Sequence, residues 1–397
     1  MKFYLTSQSI RNKIKTMEYD ALIVGGGPAG LSCAINLAKS GLSVVVFEKR
    51  KIPFRKICGE ICSPRGIDEL KSLGIETEKF FAVKKMSAWS HPYYMSADLS
   101  EFNLFCRMIP RDALQELLAE RAEECGVKIM EGMEIKEIGK KEKKWVLRAK
   151  DGEWRGIFLI GADGFNSVVR KFLSCISPRK KDIAIGVRAI LEMDSDETLR
   201  FYLHDSTMPG YAWIFPLGNG LVNAGFGIRA DQYPSKGIHP VRDFFIFFSS
   251  IEKSFSEKRY RAVIPPQVHP IYLGSHIGET VFDNALLIGE AGGFVNPFTG
   301  EGISFALSTG RLASEAIMRA LNSKEKELFW FDRAWRREFG FSFVMSKVYQ
   351  RMGSKGLIEK IMTMSEHDPE MKRTIIETLL GYARFRLRVY LKILKRR

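Results

Sequence analysis

No apolar run in this 397-residue chain approaches the roughly 18–20 residues that a membrane-spanning helix needs; the run Phe244 to Phe248 stops far short. Six cysteines (Cys33, Cys58, Cys62, Cys106, Cys125, Cys175) are too sparse for a disulfide scaffold. They include no Cys-x-x-Cys and fit no zinc spacing, so a reducing interior is the expected compartment. The first seventeen residues lack the apolar core of a secretory signal, which adds to the expectation of a cytoplasmic chain. The six histidines (His91, His204, His239, His269, His276, His367) form neither a metal-ligand set nor a triad spacing, and none is given a function. Internal repeats and low-complexity linkers are missing as well. With 45% hydrophobic and 27% charged residues, a globular protein of two or three domains remains.

What the chain has in excess is positive charge, a formal +15. Evenly spread, that would suggest nucleic acid or an anionic membrane as partner. The charge is concentrated instead at the two ends. Residues 1–17 carry Lys2, Arg11, Lys13 and Lys15 and no acid, and residues 372–397 carry nine Lys and Arg against Glu377 alone. The body between them is nearly balanced. No recognised nucleic-acid motif accompanies the basic ends, so nucleic acid is not expected.

The body opens with Asp20 to Val24, a short apolar run of the buried parallel type. Gly25-Gly-Gly-Pro-Ala-Gly30 follows, then a helical pattern through Leu31, Ala34, Ile35 and Ala38, and a second strand from Val44 to Glu48. This is a βαβ opening. Further along, Arg111 starts an amphipathic helix, Ile157 to Ile160 leads into Gly161-Ala-Asp163-Gly164, and residues 183–229 alternate as strands. Ala285 to Ile288 is another strand, a long helix is expected over Glu301 to Leu321, and helical pattern continues to the end. The expected fold class is α/β: a discontinuous Rossmann-like domain with an inserted β-sheet substrate domain and a C-terminal helical region. The expected divisions are a basic extension (1–17), a dinucleotide domain (18–82, 109–178, 276–325), a β-rich domain (83–108, 179–275) and a helical region (326–397).

Gly25-x-Gly27-x-x-Gly30 lets the chain turn tightly and bring backbone N–H groups, at a helix N-terminus, against a pyrophosphate. Ala29 lies inside that turn. Glu48 ends the second strand, where it can accept hydrogen bonds from a ribose, and Lys49 follows it. No second such glycine motif opens a helix after a strand. A dedicated nicotinamide domain is therefore not expected, and electrons must come from a donor that visits transiently or from another redox protein.

Leu159-Ile-Gly-Ala-Asp163-Gly164-x-x-Ser167-Val-Val-Arg170 resembles the second fingerprint of the FAD-binding hydroxylases and their relatives. Ile288-Gly289-Glu290-Ala-Gly-Gly, with Asn296-Pro297-x-Thr299-Gly300-Glu-Gly302-Ile303, resembles their third. The resemblance implies FAD, with the third segment along the ribityl chain and pyrophosphate and Arg111 near the cofactor. The third fingerprint usually reads Gly-Asp; here Glu290 keeps the carboxylate and adds a methylene. Taken singly, Arg111 also reads as a capped helix and Asp163-Gly164 as a plain strand–turn.

Pro209-Gly-Tyr211-Ala-Trp213-Ile-Phe215-Pro216, then eight residues, then Gly225-Phe-Gly227, is similar to the pattern of the geranylgeranyl reductase family. Lys56-Ile-Cys58-Gly59-Glu60 adds that family's flavin-proximal Cys-Gly. The resemblance covers most of residues 18–320. It implies a C=C reductase whose Tyr211, Trp213 and Phe215 line an apolar tunnel to the flavin, with Gly225 and Gly227 allowing the sheet backbone close to the ring. It implies a prenyl lipid as substrate and reduced ferredoxin or NAD(P)H as electron donor. Tyr211 and Trp213, with Cys58, are the candidate catalytic residues. The plainer alternative for the aromatic residues is a strand face packed on a core. Cys58 either assists proton delivery and substrate ordering or is a buried small residue; a Cys58–Cys62 redox pair is a further option. A flavin monooxygenase or halogenase shares the fold, and halogenases carry Trp-x-Trp-x-Ile-Pro where this chain has Tyr211-Ala-Trp213-Ile-Phe215-Pro216. A flavin electron carrier docked on a quinone pool, or a reductase of a quinone's isoprenoid tail, are the other readings. Residues 380–394 pattern as a basic amphipathic helix. It could lie peripherally on an anionic membrane or pack on its own protein.

Overall fold

The computed structural model describes residues 16–174, 177–233, 237, 239–274, 277–322, 325–352 and 355–381. Most of both basic ends, including the expected helix at 380–394 beyond Gly381, lies outside the described residues.

The strand Thr16–Val24 runs into the glycine turn, and Pro28 sets the first turn of the helix Pro28–Lys39. That helix ends at Ser40, where Gly41 turns with φ +87°. All five residues of the next strand, Val44–Glu48, are buried, as a parallel strand covered on both faces requires. These strands belong to an eight-stranded sheet. Its main path runs Val281–Phe282, Ala285–Leu287, Gly152–Gly161, Thr16–Val24, Val44–Glu48, Lys128–Glu131. Apart from the first pair, neighbours on this path are parallel. Parallel order places the turns after Val24 and Gly161 and the Gly289 turn on one side of the sheet, where ligands of such folds bind.

A second, seven-stranded sheet runs Arg261–Tyr272, Ile183–Glu192, Leu221–Arg229, Ala212–Gly218, Thr198–Tyr202, Lys85–Ser90, Tyr93–Asp98. It is antiparallel except where Thr198–Tyr202 meets Lys85–Ser90. Side chains alternate across it. Val187, Ala189, Ala212, Ile214, Val222, Ala224, Phe226 and Ile228 pack on one face against Phe244, Phe247 and Phe248 of the helix Phe244–Ile251. Gly186, Arg188, Trp213, Phe215, Asn223, Gly225 and Gly227 take the other. The helix Ile303–Asn322 packs beside Pro28–Lys39, and Phe341–Met352, Lys355–Glu366 and Pro369–Leu379 follow. No helix among the described residues is long and apolar enough to cross a membrane.

Candidate active site

A cavity of about 770 Å3 lies between the two sheets. Its walls bring together Gly25, Gly27, Ala29, Glu48, Lys49, Cys58, Gly59, Arg111, Asp163, Gly164, Tyr211, Trp213, Phe215, Gly227, Glu290, Gly300, Gly302 and Ile303, residues from five separate stretches of chain.

At one end lies the glycine turn, a cradle whose geometry suits an anion. A side chain at Gly25 would put its Cβ 2.3 Å from the Ala162 carbonyl oxygen, so only glycine permits this crossing. No side chain caps the helix Pro28–Lys39, which leaves N–H groups of its first turn available. Glu48 secures the turn: its Oε2 accepts from Gly26 N at 2.9 Å and its Oε1 from Arg50 N at 3.1 Å. Arg111 is only 5% exposed and stands beside Gly27, yet its guanidinium makes no hydrogen bond among the described residues. A buried cation without a partner beside an open helix N-terminus fits a pyrophosphate. Gly30 and Gly289 do not line the cavity. A Cβ at Gly30 would meet the Gly25 carbonyl oxygen at 2.0 Å, and one at Gly289 the Ala29 Cβ at 2.7 Å, so both serve close packing beneath the cradle.

Asp163 uses its carboxylate locally. It accepts from Ser167 Oγ and from the N–H groups of Val168 and Val169, capping the short helix Val168–Ser174. Glu290 accepts from Lys56 Nζ at 2.7 Å and Tyr272 N at 3.1 Å. Burial pushes its carboxyl up, but Lys56 and these hydrogen bonds outweigh that and hold it below the usual carboxylate range. The longer glutamate thus remains ionised, with lone pairs left for ribityl hydroxyls.

The aromatic strand places Tyr211, Trp213 and Phe215 on the cavity face, joined by Phe201. Ring centroids are 5.9 Å apart for Tyr211–Trp213, 6.1 Å for Trp213–Phe215 and 5.0 Å for Phe201–Phe215. The polar atoms of this wall are taken. Tyr211 Oη donates to the Thr299 carbonyl at 2.5 Å, and burial raises its phenol. Trp213 Nε1 donates to Asn223 Oδ1 at 2.9 Å. Neither is free to give a proton to a substrate. Gly225 differs from its expected place against the flavin. A Cβ there would lie 2.3 Å from Trp213 Cζ2 and 2.4 Å from the Val187 carbonyl oxygen, so Gly225 makes room for the indole. Gly227 faces open space, with nothing within 4 Å of such a Cβ.

Cys58 reaches the cavity, and its Sγ accepts from Glu60 N at 3.3 Å. Burial, the largest cause, raises the thiol above its ordinary value and keeps it protonated at neutral pH. Every described cysteine is free, so Cys58 and Cys62 are not joined.

Five participants escaped the sequence reading. Arg188 and Glu60, 0% and 1% exposed at the side chain, form an ion pair at 3.3 Å. Glu60 holds φ +62°, and Asn223 Nδ2 donates to both its Oε2 (3.3 Å) and the Cys58 carbonyl (2.8 Å). Arg188 Nε also reaches the Cys58 carbonyl at 3.3 Å. A charge in the middle of the apolar strand Ile183–Glu192 was the available signal for Arg188. His269 lines the cavity with Nε2 buried and unpartnered, and burial and then Lys56 hold it neutral. Glu301, in the third fingerprint, lines the cavity as well.

Comparison with known proteins gives the family. The chain is 29% identical over 317 residues to a menaquinone reductase of Mycolicibacterium smegmatis, covering 75% of this chain and 76% of the relative. It is 28% identical over 352 residues to digeranylgeranylglycerophospholipid reductase 2 of Methanothermobacter thermautotrophicus, covering 85% and 88%. Its fold matches that of a geranylgeranyl bacteriochlorophyll reductase-like protein from Thermoplasma acidophilum, with a TM-score of 0.79, 22% identity and coverage of 96% and 99%. A flavin-dependent brominase has the same fold, with a TM-score of 0.76, 19% identity and coverage of 96% and 98%. Residues 18–327 match the FAD binding domain family. The chain therefore belongs to that family and is an FAD-dependent oxidoreductase resembling the geranylgeranyl reductases.

Proposed function

We propose that this enzyme hydrogenates C=C bonds of a geranylgeranyl or other polyprenyl chain carried on a lipid or diphosphate. The observation that carries the reading is the wall of Phe201, Tyr211, Trp213 and Phe215, which lines one cavity together with Cys58, Gly59, Leu379 and Leu380. A polyprenyl chain has no polar atoms along its length, and this wall has its own polar atoms satisfied internally. An isolated trisubstituted alkene is a poor hydride acceptor, so the bond must be held closely aligned while a proton arrives at the second carbon. Bound FAD, once reduced, supplies the hydride.

The chain's residues do the rest. Gly25, Gly27 and Arg111 would hold the pyrophosphate and Glu48 the ribose, and Lys56 keeps Glu290 charged, as the ribityl chain would need. The Thr299 and Asn223 hydrogen bonds lock the Tyr211 and Trp213 rings in place. Arg188 and Asn223 pin the Cys58 carbonyl, and Phe215 lies under Gly59, 3.6 Å from where a Cβ would be. The relative named digeranylgeranylglycerophospholipid reductase supports this substrate class. The relative named menaquinone reductase supports a quinone as substrate, and a second reading places the same chemistry on a quinone's isoprenoid tail. Reduced ferredoxin or NAD(P)H is the proposed electron donor, and the basic ends the proposed attachment to an anionic membrane.

The test is anaerobic incubation of the reduced FAD-loaded protein with geranylgeranyl lipids and with menaquinone, read by mass spectrometry. Products that gain hydrogen pairs are expected, and the head group that reacts separates the two readings. No hydrogenated product from either, despite bound and reducible FAD, rejects both. Hydroxylated product formed only with oxygen would assign the chain to the monooxygenases.

A further inference from the structure

A proton must reach the alkene, and most polar hydrogens along the aromatic wall are occupied. Tyr211 and Trp213 donate to Thr299 and Asn223, Glu60 is held against Arg188, and Glu290 against Lys56. Of the other groups lining the cavity, Glu48 and Asp163 accept from backbone N–H groups, Glu134 pairs with Lys136, and burial holds His269 neutral, which leaves two acids, the Cys58 thiol and the Glu301 carboxyl. What each would become after giving up its proton decides between them. A Cys58 thiolate would be met by one hydrogen bond, from Glu60 N at 3.3 Å; the cations that act on it, Arg111 and Lys56, stand beside Gly27 and on Glu290 respectively. Glu301 already has donors in place for the charge it would acquire: Ser304 N at 2.8 Å on Oε1 and Ser304 Oγ at 2.7 Å on Oε2. It also stands at the N-terminus of the helix Ile303–Asn322, whose dipole favours a negative charge. Donors aimed in advance at charge that develops during reaction are the arrangement that lowers a barrier.

The loop that presents Glu301 is firmly held. Asn296 Oδ1 accepts from the N–H groups of Phe298 and Thr299, Thr299 Oγ1 accepts from Glu301 N at 3.2 Å, and Asn296 N donates to the Glu301 carbonyl at 2.8 Å. The Thr299 carbonyl that receives Tyr211 Oη lies two residues away, so the carboxyl and the aromatic wall are set by one loop. Glu301 has no ion-pair partner within 4 Å among the described residues. The charged and titratable groups that face it are Arg65, Cys62, Cys106 and Tyr211. Burial raises its carboxyl, more strongly than Ser304 and Arg65 lower it.

We propose that Glu301 is the acid that protonates the alkene carbon, an assignment that rests on the reductase reading above. The Glu301 O–H bond breaks, and the alkene π pair forms a C–H bond with that proton. The other alkene carbon would take hydride from two-electron-reduced flavin; NAD(P)H as hydride, or reduced ferredoxin as two electrons with a proton from water, would restore the reduced flavin, and water would return the proton to the carboxylate.

The test compares wild type, E301Q and E301D as FAD-loaded proteins. In an anaerobic single turnover with a geranylgeranyl lipid, E301Q is expected to slow hydrogenation on the order of 10²- to 10⁴-fold, the usual weight of a general acid. Its bound-FAD spectrum should be unchanged, and E301D should recover part of the rate. The wild-type rate should fall as rising pH ionises Glu301, whereas the residual E301Q rate should not follow that limb. Independently of turnover, infrared spectra near neutral pH should show a protonated carboxyl band that shifts in D2O and is missing from E301Q. A wild-type rate in E301Q, or no such band difference, overturns the assignment alone. An inert wild-type protein with reducible FAD overturns the reductase reading and this assignment with it.

Discussion

Arg111 and Arg188 are both buried guanidinium groups, and their surroundings give them opposite tasks. The Arg111 guanidinium has no hydrogen-bond or ion-pair partner among the described residues, so it is available to an anion beside Gly27. R111M is expected to weaken FAD binding by about 1.5–3 kcal/mol, the range for hydrogen bonds to charged groups, or roughly 10- to 150-fold. Fluorescence titration of the apoprotein measures this, and unchanged affinity would remove Arg111 from the cradle. Arg188 is already matched by Glu60. R188M leaves that carboxylate buried and alone, at a cost of about 3–5 kcal/mol, while R188M/E60L should recover most of the loss; urea unfolding reads both. The Cys58 thiol, raised by burial, should react with iodoacetamide only above the pH near 8.5 at which ordinary thiols ionise. Fast alkylation at neutral pH would contradict its protonated state. Arg188 was legible in principle as a charge amid Ile183 to Leu191. Glu60 was not, because an acid beside Cys58-Gly59 looks the same whether it faces solvent or a buried arginine.

The two glycines of Gly225-x-Gly227 show what an element's periodicity does and does not disclose. Both point to one face of the strand Leu221–Arg229, and spacing alone assigns them one purpose. The structure separates them, since Gly225 lies under Trp213 and Gly227 under open cavity. G225A should therefore overpack and cost about 1–3 kcal/mol, lowering the Tm. G227A should leave the Tm near wild type and alter the spectrum or affinity of bound FAD. Equal Tm shifts for the two variants would contradict this placement. The strands of residues 183–229 and the long helix after Gly302 were readable because each has a local pattern of 2 or 3.6, and the βαβ opening because two short apolar runs flank a glycine turn and a helical pattern. The Phe244–Ile251 helix was harder, since a run of Phe carries neither period. The parallel pairing of Phe201 with Ala88 had no local sign at all, because it joins segments far apart in sequence.

For the whole molecule, a nearly neutral body with basic ends makes those ends the place to test the proposed membrane attachment. Residues 382–397 hold seven basic side chains and no acid. Sedimentation with vesicles rich in anionic lipid should retain the full chain and release it with salt, as the screening length falls from about 10 Å at 0.1 M to about 3 Å at 1 M. A chain ending at Gly381 should be released at much lower salt; equal retention of both would place any attachment elsewhere. The cradle itself carries a different consequence. Its first loop is at residues 25–30, but the strand Ala285–Leu287 and the loops at Gly289 and Gly300 complete it only near Ile303. At about 5–20 residues per second, a ribosome needs roughly 15–55 s to travel from one to the other. Throughout that interval the nascent chain cannot grip its flavin. The ligand enters late and stabilises only the chain that has reached its last loop. In flavin-starved cells, full-length protein should accumulate in a form that proteases cut readily.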